Sequence, residues 1–349
     1  MQRERINRSL EAARAISKLA LSGALICAVG WSMLVLDETG QVPESEADVV
    51  TSVPKRAIVG ENFTEVMVNS GLTPKPYEFN GNNVFFAVGY TDRSPMELLD
   101  KYQQNFVDSG VNVQKFMEVP ESRYTKSLND YKEGNVGEVD DYERMYNAVL
   151  VNGGVVPVAV TENQVTMGGL VAKGSKHGRT NELFPEWELG GDIDLGEMMQ
   201  GFRFIEAKKV RKGGKTRVTS VWADDDFSFD KMNNPAKEGL SSVVEAPACV
   251  GCEIGSQMKS LARGENYSIS NMFTTRSIDD TRAFYEAAMK NRGWKRSDAS
   301  IAVSYARQEL GVLPDVDLLN FNRGGAESTI MIYKDMGERT TRVSIVESH

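Results

Sequence analysis

Residues 83–110 read NVFFAVGYTDRSPMELLDKYQQNFVDSG, and residues 266–293 read NYSISNMFTTRSIDDTRAFYEAAMKNRG. The two stretches align without a gap. Asn83 matches Asn266, Thr91 matches Thr274, Arg93 matches Arg276, Ser94 matches Ser277, Tyr102 matches Tyr285 and Gly110 matches Gly293. Each copy reads as a short strand that ends at Thr-x-Arg-Ser and passes into a helix. The serine suits an N-cap. Pro95 suits the first helical position, and Glu97 completes a capping box. In the second copy Asp279 and Asp280 sit in the first turn, where the helix dipole favours them. Leu98, Leu99, Tyr102 and Phe106 form one apolar stripe; Ala283, Phe284, Ala287, Ala288 and Met289 form the other. Gly110 and Gly293 stop the helices.

Working outward, each copy leads to a hairpin: FRFIEAKKVRKGGKTRVTSVWA at 202–223 and STIMIYKDMGERTTRVSIVE at 328–347. β-Branched residues alternate around a Gly-containing turn in both. Thr216-Arg217-Val218 matches Thr341-Arg342-Val343. Each copy therefore reads strand–helix–strand–strand. A helix on one face of a small antiparallel sheet is an α+β arrangement, ferredoxin-like or related. The first copy carries about 58 extra residues between helix and hairpin. The expected boundaries are a first domain at 58–232 with an insertion near 117–200, a linker at 233–247 and a second domain at 248–349. The linker, NNPAKEGLSSVVEAP, is rich in turn formers.

Before the repeat stands LALSGALICAVGWSMLVL, residues 19–36, eighteen residues without a charge. As a helix it spans about 27 Å, enough for a hydrocarbon core of about 30 Å with small adjustment. Arg3, Arg5, Arg8, Arg14 and Lys18 precede it; Asp37, Glu38, Glu44, Glu46 and Asp48 follow. The positive-inside rule keeps the segment 1–18 in the cytoplasm and sends the body across. A cleaved signal peptide needs a small-residue site at its end, and Met33-Leu34-Val35-Leu36 offers none. Ile26 before Cys27 is too large for a lipoprotein site. Ala20, Ala24, Ala28 and Ser32 share one helix face, where small residues permit helix pairing; short membrane helices are also simply rich in alanine. Residues 37–57, acidic and holding Pro43 and Pro54, read as an extended linker.

Composition narrows the function. The chain has 349 residues, 41% of them hydrophobic, enough for a sizeable core. A net charge of -9 argues against a nucleic-acid partner, which needs a basic face. There are two histidines, His177 and His349, and three cysteines. Cys249-Val250-Gly251-Cys252 is the one C-x-x-C. Glu253 stands where covalent haem attachment needs a histidine. No second pair completes a zinc set. A redox dithiol sits at a helix N-terminus after a strand, and the following sequence shows no such crossover. A structural disulfide fits an exported body. The acidic groups Asp224-Asp225-Asp226 with Asp230, and Asp192, Asp194 and Glu197, lack a complete calcium loop and read as solvated. The basic loop Lys173–Arg179 lacks phosphate-loop spacing. The paired glycines at 153–154, 168–169, 190–191, 213–214 and 324–325 read as turns. No serine–histidine set forms around His177. No cofactor and no metal are expected.

The sequence points to a non-catalytic single-pass protein of a bacterial inner membrane, with its body in the periplasm. Its tandem domains would bind envelope proteins as a scaffold or assembly subunit, of secretion or pilus type by analogy of architecture. Self-association through the transmembrane helix is a further expected contact. An edge strand would serve strand addition or side-by-side docking. Two alternatives stand beside it: a membrane-tethered thiol–disulfide protein using Cys249 and Cys252, and a binder of an envelope ligand.

Overall fold

Strands dominate the body because β-branched and aromatic residues alternate with polar ones through most of it. The computed structural model describes residues 63–120, 141–173, 199–210, 214–223, 227–233, 241–263, 266–297, 316–334 and 340–349. In chain order the elements are α1 (Phe63–Asn69), β1 (Lys75–Phe79), β2 (Asn82–Thr91), α2 (Pro95–Asp108), α3 (Asp141–Val151), β3 (Val156–Thr161), β4 (Gln164–Ala172), β5 (Met199–Lys209), β6 (Thr216–Ala223) and α4 (Phe229–Asn233). They continue with β7 (Glu253–Ser260), β8 (Tyr267–Thr274), α5 (Ile278–Asn291), β9 (Lys295–Ser297), β10 (Val316–Arg323), β11 (Ala326–Lys334) and β12 (Thr341–Ser348).

The expected architecture, a transmembrane helix followed by two small α+β domains, requires correction. The strands belong to an antiparallel sheet of 12, ordered β3-β4-β5-β6-β2-β1-β7-β8-β12-β11-β10-β9. Strand, not a helix laid on a small sheet, is the main component. The four-element unit was too short. Leaving aside α3, which stands between α2 and β3, the run β1-β2-α2-β3-β4-β5-β6 has the same element sequence and the same neighbour order as the described run β7-β8-α5-β9-β10-β11-β12. Residues 117–200, read as an insertion, supply β3 and β4, whose counterparts are β9 and β10. The shortfall has a physical cause. KPYEF, EIGSQMKS and KRS carry too little apolar alternation to read as strands alone, and their ladder partners complete them. The proposed span 19–36 lies outside the described residues. Among the described residues no helix is long and apolar enough to cross a membrane.

Register shows how alike the two runs are. Thr91 of β2 pairs with Thr216 of β6, and Thr274 of β8 pairs with Thr341 of β12. The threonines matched between copies are thus cross-strand partners within each copy. Both helices begin as their sequences indicate. Ser94 and Glu97 form a reciprocal capping box on α2, with Pro95 at its first position; Ser277 accepts the Asp280 N–H on α5.

Chain contacts divide the protein into two units. Of the described residues, the first takes those up to Pro74 and those within Phe85–Phe227; the second takes Lys75–Val84 and those within Ser228–His349. In the first unit α1 and α2 pack on one sheet face. Phe63, Leu99, Phe106, Ile205 and Trp222 are fully buried there. Phe63 meets Trp222 edge-on at 5.4 Å, and the Trp222 indole N–H donates to Thr64 at 2.9 Å. Gln103 and Asn112, both buried, converge on Val155: each side-chain amide donates to its carbonyl at 2.8 Å, and Asn112 also accepts its N–H at 2.8 Å. Gly168 and Gly169 lie inside β4 and not in a turn. A Cβ on Gly169 would sit 1.7 Å from the Gly154 carbonyl oxygen, so glycine permits α3 to close on the sheet.

In the second unit α5 packs on the sheet through Tyr285 and Met289. Leu319, Ile330, Ile332, Val343 and Ile345 form the facing wall. Asn80 and Gly81, both at positive φ, turn β1 into β2. The buried Asn80 side chain accepts the Gln257 N–H at 2.7 Å and donates to the Met232 carbonyl at 3.1 Å.

Candidate functional site

The segment 241–252 joins no strand and no helix, yet it closes the core of the second unit. Its apolar side chains direct it inward: Val244, Ala246 and Cys249 are buried against Tyr285, Met289 and Trp294. Pro247 has no N–H to satisfy, which suits an irregular strap.

Cys249 and Cys252 are disulfide-bonded, with Cα atoms 5.1 Å apart. The Cys252 N–H donates to the Cys249 carbonyl at 2.9 Å, closing a tight turn. Gly251 holds a φ of +75° with open space around it, and Val250 is 75% exposed at the tip. One sulfur is therefore built into the core while the turn faces solvent. The pair leads directly into β7.

The strap's other anchor is Glu347, at the end of β12. Its side chain is fully buried. The carboxylate accepts the N–H of Glu245 at 2.5 Å, the N–H of Ala246 at 2.9 Å and the Ser328 hydroxyl at 3.2 Å. A buried carboxylate is tolerable when donors replace its water in this way. Around it stands a charged rim. Glu245 pairs with Arg323, whose guanidinium stacks on Trp294 at 4.7 Å. Arg292 donates to the Glu245 carbonyl. His349 lies 4.0 Å from Glu245 and 3.9 Å from Glu347.

Burial also acts on the matched tyrosines. Tyr102 and Tyr285 have phenol pKa values pushed well above the ordinary range by desolvation. They are core groups that remain neutral, not acid–base groups.

Of the residues singled out in the sequence, Cys249 and Cys252 are brought together. Ala20, Ala24, Ala28 and Ser32, His177, Asp192, Asp194, Glu197 and Asp224-Asp225-Asp226 lie outside the described residues. Asp230 lies in α4. Among the described residues no group of three or more His, Cys, Asp or Glu side chains could hold a metal ion. The sequence reading missed Glu347, although a signal was present. Thr341, Val343, Ile345 and Glu347 fall on one strand face, so a glutamate continues an apolar row. No protein-family model, curated protein or solved structure matches the chain.

Proposed function

We propose that the chain is a non-catalytic, membrane-tethered binding protein of a bacterial envelope. Its body lies outside the cytoplasm and serves as a scaffold or assembly subunit. The observation that carries this reading is the seating of the Cys249–Cys252 disulfide. Cys249 is 3% exposed and part of the core. That placement suits a staple made in an oxidising compartment and kept there. It counts against the thiol–disulfide alternative, because attack on the accessible side would expel a thiolate into an apolar wall. The apolar segment 19–36 and its flanking charges support the tether.

The described sheet edges narrow the manner of docking. β3 pairs with β4 alone, and carries Pro157 and a bulge between Pro157 and Ala159. β9 is three residues long and presents exposed Lys295 and Arg296. Prolines, bulges, short strands and lysines all discourage strand addition. Partners would dock on the surfaces of the units, side by side.

The test uses intact cells. Cysteine labelling across the membrane should place the body outside the cytoplasm. Thiol trapping should find Cys249 and Cys252 oxidised and resistant to mild dithiol. Gentle extraction with in-cell crosslinking should return stoichiometric envelope proteins. A body labelled from the cytoplasm, or a protein that extracts alone as a monomer without crosslinked partners, would defeat the reading.

A further inference from the structure

The strap in the second unit is held in an unusual way. Its described amides from Val243 to Ala246 are all accepted by side-chain oxygens. Val243 donates to Gln257 Oε1 at 3.3 Å and Val244 to Ser242 Oγ at 3.3 Å; Glu245 and Ala246 both donate to Glu347. A ladder shares its load over many backbone bonds, whereas here one carboxylate carries two. Tyr285, Met289 and Trp294, each less than 4% exposed, share one core cluster with Val244, Ala246 and Cys249 of the strap and with the sheet.

The first unit closes the same place differently. Trp222 and Glu347 occupy matching positions, six residues beyond the matched Thr216 and Thr341. Trp222 clamps Thr64 of α1, a helix that buries Phe63, Val66 and Met67. Glu347 clamps a segment with no helix at all. Each run is thus preceded by a closing segment that its last strand holds with one polar side chain. The second is the weaker design, because an irregular segment lacks the repeating backbone hydrogen bonds that keep a helix intact when it lifts.

We propose that residues 241–252 form a releasable strap, with Glu347 as its clamp, that opens over α5 while the sheet beneath stays folded. Opening uncovers the Tyr285–Met289–Trp294 wall. The disulfide joins two residues of the strap and keeps the turn 249–252 compact as the strap lifts. The inference concerns motion within the second unit and is independent of the membrane reading above.

Hydrogen exchange on the full-length protein tests it. Glu347→Gln keeps the shape but replaces charged acceptors by a neutral amide, and charge-assisted bonds are about twice as strong. Exchange across 243–249 should rise about tenfold to a hundredfold, with α5, β11 and β12 unchanged. Equal acceleration in the strap, α5 and β11 would overturn the proposal, since the strap would then open only with the whole unit. No acceleration would overturn Glu347 as the clamp. If Glu347→Gln does not fold, Ser328→Ala decides: it removes one donor to the carboxylate and should give the same strap-confined pattern at smaller size. A uniform or absent response there overturns the proposal.

Discussion

Ser94 shows how local chemistry sets an element and its pH response. Its N–H donates to the Glu97 carboxylate at 2.7 Å, and its hydroxyl accepts the Glu97 N–H at 3.3 Å. The first bond, above all, holds the Glu97 carboxyl below the ordinary range. A carboxylate with a depressed folded pKa adds stability above its unfolded value and loses it as pH falls through the folded one. Acid should therefore weaken the α2 cap below about pH 4.3, the usual glutamate value. Denaturant titrations of Glu97→Gln between pH 7 and pH 3 should show less pH dependence than the parent. Ser94→Ala should cost about 1 kcal/mol at neutral pH. Gly169 illustrates the opposite case, where the requirement comes from elsewhere in the chain. Gly169→Ala brings a methyl group 1.7 Å from the Gly154 oxygen, so backbone must move. A loss of about 1–3 kcal/mol, read from the denaturation midpoint, is expected. An unchanged midpoint would mean that α3 does not close on β4 in solution. The cap was legible because it lies within four residues. The glycine contact was not, because its partner lies fifteen residues away, across a turn.

At the scale of elements, β3 and the strap matter most. β3 closes one end of the strand order, and Pro157 with its bulge interrupts the ladder there. If those features prevent strand addition, Pro157→Thr should promote it. Sedimentation of the purified variant should then show concentration-dependent association that the parent lacks; identical profiles would show that Pro157 does not guard the edge. The strap contains the disulfide, whose loop is very short, with a sequence separation of 3. Loop-closure entropy for such a link is about 2 kcal/mol. Cys249→Ala with Cys252→Ala should lower stability by about that much without abolishing folding. Complete unfolding would mean that the pair does more than staple a turn.

For the whole molecule, the repeat was visible in the chain, and its full extent was not. The cap serines, the stop glycines and the hairpin signatures each depend on a few neighbouring residues, so a single strand of text displays them. They determine two matched strand-to-helix passages and two matched hairpins. The uncharged run 19–36 and its flanking charges are likewise local, and they carry the proposal of a tether. Strand partnership is different, because a ladder bond joins residues far apart. β1 belongs with the second unit although it precedes the first helix-and-hairpin copy, and it pairs Tyr77 with Ser260. Glu347 holds Glu245 and Ala246 from about a hundred residues away. The polar strands β7 and β9 gain their conformation from neighbours, not from their own alternation. The chain by itself therefore determined where the two matched helices start and stop and which hairpins match. Only the tertiary structure decided which strands neighbour one another and why a buried glutamate is tolerated. Hydrogen-bond partnership and burial depend on distance in space, which a linear pattern does not encode.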